Sequence, residues 1–248
     1  MRRFGLLGYP LSHSFSAVYF AKKFADGNIT DAIYENFPLE TIDEFQNLLK
    51  NHPDFAGLNV TIPYKEKIIA FLDEIDTEAN EVKAVNTIKF IKNQGVTTLK
   101  GYNTDVYGFE TSLKPFLESY HKKALILGTG GASKAIKYIL KKLDISYVSA
   151  TIEELKENEI RYEDINKALI EESLIIINAT PLGTFPKVDA CPSIPYEHIT
   201  PRHILFDLVY NPEITLFLQK GKAQGAKTTN GLKMLHLQAE KSWSIWNS

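Results

Sequence analysis

Apolar residues along this chain fall into short runs and periodic stripes that alternate between two spacings. Residues 4–7 are a compact apolar run closed by Gly8-Tyr9-Pro10, which predicts a buried strand and then a loop. Val18, Phe20, Ala21 and Phe24 recur at helical spacing behind Ser14 or Ser16, either of which suits a helix cap. Residues 32–37 read as a strand and 39–50 as a helix with Ile42, Phe45, Leu48 and Leu49 on one face. Residues 58–62 form a strand stopped by Pro63, with a helix from Tyr64. Strands at 86–91 and 96–99 are joined by a turn at 92–95.

After residue 102 the texture changes. A helix is expected from Thr104-Asp105 to about residue 117. The fully apolar strand 124–127 leads into Gly128-Thr129-Gly130-Gly131 and a helix through Lys142. Apolar strands follow at 146–149, 174–177 and 204–208, and one amphipathic helix fills 231–246. Strands alternating with helices indicate parallel βαβ winding. The layout predicts an α/β protein of two lobes. One is an N-terminal α/β domain, 1–101, with the terminal helix 231–248 packing back on it; the other is a Rossmann-like, doubly wound parallel-sheet domain, 102–230.

The bulk numbers narrow the class without choosing a function. The chain has 248 residues, 44% hydrophobic and 23% charged, with a net charge of −2. That balance is ordinary for a soluble globular protein and offers no basic stripe for nucleic acid. The apolar run after Arg2-Arg3 is too short for a signal peptide, and no stretch approaches the roughly 18 apolar residues of a membrane span. One cysteine, Cys191, excludes an internal disulfide and fits a reducing cytoplasm. Six scattered histidines and that cysteine suggest no metal ligand set.

Residues 125–135 read as strand, glycine turn and helix start. Gly128 permits the tight turn, Gly130 lets the backbone approach a pyrophosphate, and the helix amides hold the anion. Ser133 stands where the usual fingerprint has its third glycine. The end of the next strand reads Ser149-Ala150-Thr151, with neither the acid that favours NAD nor the arginine that pairs with the 2′-phosphate of NADP. Ser149, Thr151, Lys134 and Lys156 are the alternatives for reaching such a phosphate.

Polar residues concentrate in four segments of the first lobe: 12–16, 59–65, 84–87 and 101–105. Their hydroxyls, amides, one ammonium and one carboxylate suit a ligand bearing several hydroxyls and a carboxylate. Ser14 and Ser16 can donate to carboxylate oxygens, Asn86 can bond a diol in both directions, and Lys65 and Asp105 can share a hydroxyl at a carbon being oxidised. Plainer roles fit the same residues. The serines and Asp105 serve as helix caps, Asn59 and Asn86 tie loops, Lys65 is a solvated lysine, and His13, Trp243 and Trp246 are structural. Spacing alone does not choose.

Taken in order, the segments resemble the shikimate dehydrogenase family. The similarity runs through Ser-His-Ser-Phe-Ser at 12–16, Asn-Val-Thr-Ile-Pro-Tyr-Lys at 59–65, Ala-Val-Asn-Thr at 84–87 and Asn-Thr-Asp at 103–105. It continues through Gly-Thr-Gly-Gly-Ala-Ser at 128–133, Asn-Ala-Thr-Pro-Leu-Gly at 178–183, Asp-Leu-Val-Tyr-Asn-Pro at 207–212 and the segment 230–238. The resemblance implies NADP as cofactor, with NAD left open, and shikimate or 3-dehydroshikimate as the small-molecule substrate. It implies that Ser14 and Ser16 hold the substrate carboxylate with Tyr210 beside it, and that Thr61, Asn86, Asp105 and Gln238 hold the hydroxyls. Lys65 is then the proton-transfer residue, paired with Asp105. Gly128, Thr129, Gly130, Gly131, Ala132 and Ser133 carry the pyrophosphate, and Leu208 and Gly231 line the nicotinamide side. The expected enzyme is a cytoplasmic monomer or homodimer of chorismate and aromatic amino acid biosynthesis, with no nucleic-acid or membrane partner. A quinate/shikimate dehydrogenase of broader use and a non-catalytic, ligand-binding relative are the alternatives.

Overall fold

A computed structural model of the chain describes residues 1–11 and 15–248. It divides into two compact units, Met1–Thr104 with Gln238–Ser248, and Asp105–Leu237. In the first, β1 (Arg2–Gly8), α1 (Phe15–Asp26), β2 (Ala32–Pro38), α2 (Phe45–Asn51) and β3 (Phe55–Val60) precede β4 (Glu74–Ile75), α3 (Thr77–Val82), β5 (Thr87–Asn93) and β6 (Val96–Tyr102). Helix α4 (Thr104–Leu113) leads into the second unit, with β7 (Lys123–Leu127), α5 (Gly131–Lys142), β8 (Ser146–Ala150), β9 (Glu159–Ile160) and α6 (Lys167–Glu172). Then come β10 (Ile175–Asn178), β11 (Ile204–Asp207), α7 (Leu216–Ala223), β12 (Lys227–Thr229) and α8 (Leu232–Trp246), whose residues from Gln238 onward belong to the first unit.

The first sheet has the order β2-β1-β3-β5-β6-β4 and is mixed: β1 pairs parallel with β2 and β3, whereas β3, β5 and β6 pair antiparallel. Alternation along β1 covers both faces. Phe4 enters a cluster with Phe20, Phe24 and Trp246, and Leu7 enters one with Phe45, Leu58 and Ile88. Gly57 gives Trp246 its seat, since a Cβ there would lie 2.3 Å from the indole Nε1, which donates to the Ile88 carbonyl at 3.0 Å. That anchor fixes α8, and with it Gln238.

The second sheet has the order β12-β11-β10-β7-β8-β9, every pairing parallel. Counted from β7, this is the 3-2-1-4-5-6 order of dinucleotide-binding sheets, with the order reversing between β7 and β10. Its central strands are buried apolar runs, Ala124–Leu127 and Ile175–Ile177, as a sheet covered on both faces requires.

Several expected elements shift for local reasons. Val18 is 72% exposed, because the stripe that α1 buries runs through Phe20 and Phe24. The helix expected over 39–50 starts with a 3-10 turn, Ile42–Glu44, and becomes α-helical only at Phe45. Strand β3 stops at Val60, and residues 61–64 form a turn closed by the Tyr64 N–H to the Thr61 carbonyl at 2.9 Å. A 3-10 segment, Lys67–Phe71, replaces the helix expected from Tyr64. Pro115 ends α4 at Leu113 in another 3-10 turn, short of residue 117. The β5–β6 turn is Gln94-Gly95, both at positive φ, so the strands extend further than expected.

Candidate active site

In the first unit, backbone hydrogen bonds gather the expected site segments. The Thr61 N–H donates to Leu7 O at 2.8 Å, Val60 N–H to Asn86 O at 2.8 Å, Asn86 N–H to Tyr102 O at 3.0 Å and Val85 N–H to Lys65 O at 2.7 Å. The Asn103 side chain donates to Ala84 O at 2.9 Å. Thr61, Lys65 and Asn86 are thus carried by segments that hold one another at the ends of β3 and β6. Lys65 is half-buried.

Asn86 is the best-determined of these side chains. Its Oδ1 accepts the Thr104 backbone N–H at 2.7 Å and the Thr104 and Thr87 hydroxyls at 3.1 Å each. A backbone N–H has no alternative but to donate, so the amide orientation is fixed. Its Nδ2 then donates to Gln238 Oε1 at 3.2 Å, which turns the Gln238 Nε2 away. No further partner of either amide's N–H groups is found among the described residues. The Asn86 oxygen already holds three donors, so in this arrangement its acceptor side is committed within the first unit.

Behind this pair lies Asn59, whose Nδ2 reaches Ser242 Oγ at 2.9 Å, Thr87 Oγ1 at 3.2 Å and Asn86 O at 3.3 Å. Its Oδ1 accepts from the Tyr34 hydroxyl at 2.9 Å. Ser16 in turn hydrogen-bonds that hydroxyl, whose own pKa burial drives up. Ser16, Asn86 and Gln238 therefore share one continuous network. Ser16 lies inside α1 and is not its N-cap; Ser14, with His13, lies outside the described residues. From the sequence Asn59 has only a loop-tying role, Thr87 is merely the end of the motif at 84–87, and Tyr34 and Ser242 stand out in no motif at all.

In the second unit Asp105 occupies the first turn of α4, only 6% exposed, directly after Thr104. Tyr210 is exposed in the loop after β11. Leu208 and Gly231 lie in close contact, since a Cβ on Gly231 would stand 2.2 Å from the Leu208 carbonyl oxygen. Asp207, fully buried, accepts from Asn178 Nδ2 at 2.9 Å, the Val209 N–H at 3.0 Å and Thr215 Oγ1 at 2.5 Å. Burial outweighs these donors and pushes its pKa up to about 6.

The glycine turn sits at the switch point of the second sheet. Gly128 has φ +99° and lies against Thr180 and Ala179, after β10. Gly130 is the N-cap of α5, and a Cβ on Gly130 or Gly131 would meet nothing within 4 Å. That open space in front of a helix N-terminus suits the pyrophosphate of a dinucleotide. Ser133 turns inward, its hydroxyl donating to Gly130 O at 2.6 Å, and so stiffens the turn where a third glycine was expected. A cavity of about 350 Å³ opens beside the turn, bordered by Thr129, Thr151, Ile152, Glu153, Tyr162 and Thr180. Thr129 and Thr151 hydroxyls stand 3.1 Å apart there. Of the residues considered for a 2′-phosphate, Thr151 borders the cavity, whereas the Ser149 hydroxyl is buried without a partner among the described residues.

No helix among the described residues is long and apolar enough to cross a membrane. Residues 6–88 match the family model described as the shikimate dehydrogenase substrate binding domain. The shikimate dehydrogenase (NADP(+)) of Caldicellulosiruptor saccharolyticus is 36% identical, over 99% of this chain and 92% of its own length. Among solved structures, shikimate dehydrogenase 1 from Peptoclostridium difficile is 39% identical with a TM-score of 0.85, over 100% of this chain and 92% of that one. The Listeria monocytogenes shikimate 5-dehydrogenase, in complex with shikimate and NAD, is 29% identical with a TM-score of 0.86 over the same shares. The chain thus belongs to the shikimate dehydrogenase family.

Proposed function

We propose that this chain catalyses the reversible NADPH-dependent reduction of 3-dehydroshikimate to shikimate, a step towards chorismate and the aromatic amino acids. The observation that carries the reading is similarity over almost the whole length to proteins of that name. The donor array of the first unit and the open phosphate cradle of the second supply what the two reactants need.

Residues 128–133 hold the pyrophosphate, and Leu208 and Gly231 border the nicotinamide. When bound, the cofactor supplies the hydride for reduction and accepts it in the reverse direction. Ser14, Ser16 and Tyr210 take the substrate carboxylate, and Thr61, Asn86, Asp105 and Gln238 take its hydroxyls. Because Asn86 and Gln238 present N–H groups, the hydroxyl they meet accepts from them and keeps its own hydrogen for another acceptor, the part given to the Asp105 carboxylate. Lys65 moves the proton: as an ammonium it protonates the oxygen on which charge develops during reduction, and as an amine it accepts that proton during oxidation. The enzyme works in the cytoplasm as a monomer or homodimer.

The test is an initial-rate assay on purified protein that crosses shikimate and quinate with NADP and NAD. Turnover of shikimate with NADP is expected to exceed the other three combinations. Equal rates with quinate point to the broader enzyme, and no turnover in any combination refutes the activity.

A further inference from the structure

Strand β8 ends at Ala150, and the next three residues, Thr151, Ile152 and Glu153, border the cavity beside the glycine turn. None is a cation, so the usual place for a guanidinium that meets a 2′-phosphate carries no positive charge. A guanidinium reaches the same wall from elsewhere. Arg161 directly follows β9, and its Nη1 donates to the Glu153 carbonyl. Its backbone N–H donates to Asp164 Oδ2 at 3.1 Å, and the following residue, Tyr162, also borders the cavity. Glu153, whose carbonyl the guanidinium touches, and Tyr162, next to Arg161 in the chain, are thus both cavity residues.

Arg161 is half-buried, and among the described residues no carboxylate forms an ion pair with it. Arg2 and Arg3, by contrast, are paired with Asp31 and Asp54 at 2.9 and 3.0 Å. A guanidinium has five N–H donors in a planar fork that matches phosphate oxygens. One donor here is committed to the carbonyl of Glu153, a residue that borders the cavity, which ties the fork to the cavity wall.

We propose that Arg161 is the residue that selects a 2′-phosphorylated adenine nucleotide, replacing from the far side of the 151–160 segment the arginine missing after β8. The inference rests on the dinucleotide reading of the groove. Glu153 and Glu154 on the same segment place negative charge nearby, so the selection is moderate.

The test is calorimetric binding of 2′,5′-ADP and 5′-AMP to the full chain, wild type against Arg161→Gln and Arg161→Lys. Glutamine keeps a donor for the Glu153 carbonyl, so the segment stays pinned, and thermal unfolding checks this. Arg161→Gln is expected to weaken 2′,5′-ADP by about 10- to 100-fold, the worth of a charge-assisted phosphate contact, and to leave 5′-AMP within about twofold. Arg161→Lys falls between, and added salt weakens 2′,5′-ADP more in wild type than in Arg161→Gln. Equal losses for both nucleotides would make Arg161 a mere strut for the loop and overturn the proposal, as would an unchanged 2′,5′-ADP affinity or wild-type protein that binds no 2′,5′-ADP. Absence of shikimate turnover counts against the proposed activity alone, because neither nucleotide involves the substrate.

Discussion

Gly128 and Gly130 lie two residues apart in one turn, yet replacing each with alanine should damage different things. At Gly128 the backbone has φ +99°, where an L side chain is strained by about 1–3 kcal/mol. A Cβ there would also stand 2.8 Å from Thr180 Cγ2. Thr180 cannot swing aside freely, since its hydroxyl donates to Asn178 Oδ1 at 2.6 Å. Gly128→Ala is therefore expected to lower stability even without ligand. Gly130 has φ −65° and ψ 179°, which alanine adopts without strain, and its Cβ enters open space. As an N-cap change it costs no more than about 1 kcal/mol of stability. The same Cβ fills the volume facing the α5 amides, so a phosphate is held off them. A loss of about 10- to 100-fold in NADPH affinity, about 1.4–2.8 kcal/mol, should follow. Thermal unfolding of the free proteins, paired with NADPH fluorescence titration, separates the two effects. A Gly130→Ala protein that binds NADPH like wild type would refute the cradle, and one as destabilised as Gly128→Ala would refute the reading of its open space.

Two further outcomes follow from buried polar groups. Thr87→Val removes a donor to Asn86 Oδ1 and an acceptor for Asn59 while keeping side-chain shape. It should raise KM for shikimate by about tenfold with KM for NADP unchanged, as loss of one hydrogen bond implies, and Thr87→Ser should restore it; equal changes in both constants would remove Thr87 from substrate positioning. Asp207 has a folded-state pKa raised to about 6 from 3.8, so between those values the native protein binds more protons than the unfolded chain. Its contribution to stability therefore falls as pH rises through that window, by about 2–3 kcal/mol. Urea unfolding of wild type and Asp207→Asn should show the variant gaining on wild type between about pH 4 and 6, with the gain complete above the folded pKa; parallel profiles would contradict a raised pKa.

The second sheet was the most legible part of the chain. Its central strands are unbroken apolar runs, and Gly128 marks a turn that only a residue tolerant of positive φ makes comfortably. The short elements were not legible. Helix α7 depends on Thr215, which caps it by accepting from the Leu218 N–H at 3.3 Å while bonding Asp207, a partner eight residues back. Strands β4 and β9, two residues each, exist only through their pairing. At the candidate site, residue types and order pointed to polyol chemistry, but the polarity of the amides did not follow from them. Asn86 is oriented by the Thr104 backbone, and Gln238 by Asn86, across 152 positions of sequence. Arg161 escaped for the same reason: its guanidinium acquires meaning only from the carbonyl it touches.

The most direct test of the account is the turnover of shikimate with NADP by wild-type protein and by Lys65→Ala, alongside the shikimate dissociation constant of each. The wild type is expected to be active, the variant slowed by about 10²- to 10⁴-fold, the range for loss of a general acid–base group, and the dissociation constants to differ by less than about fivefold. A Lys65→Ala protein that turns over shikimate at a near-normal rate would contradict it.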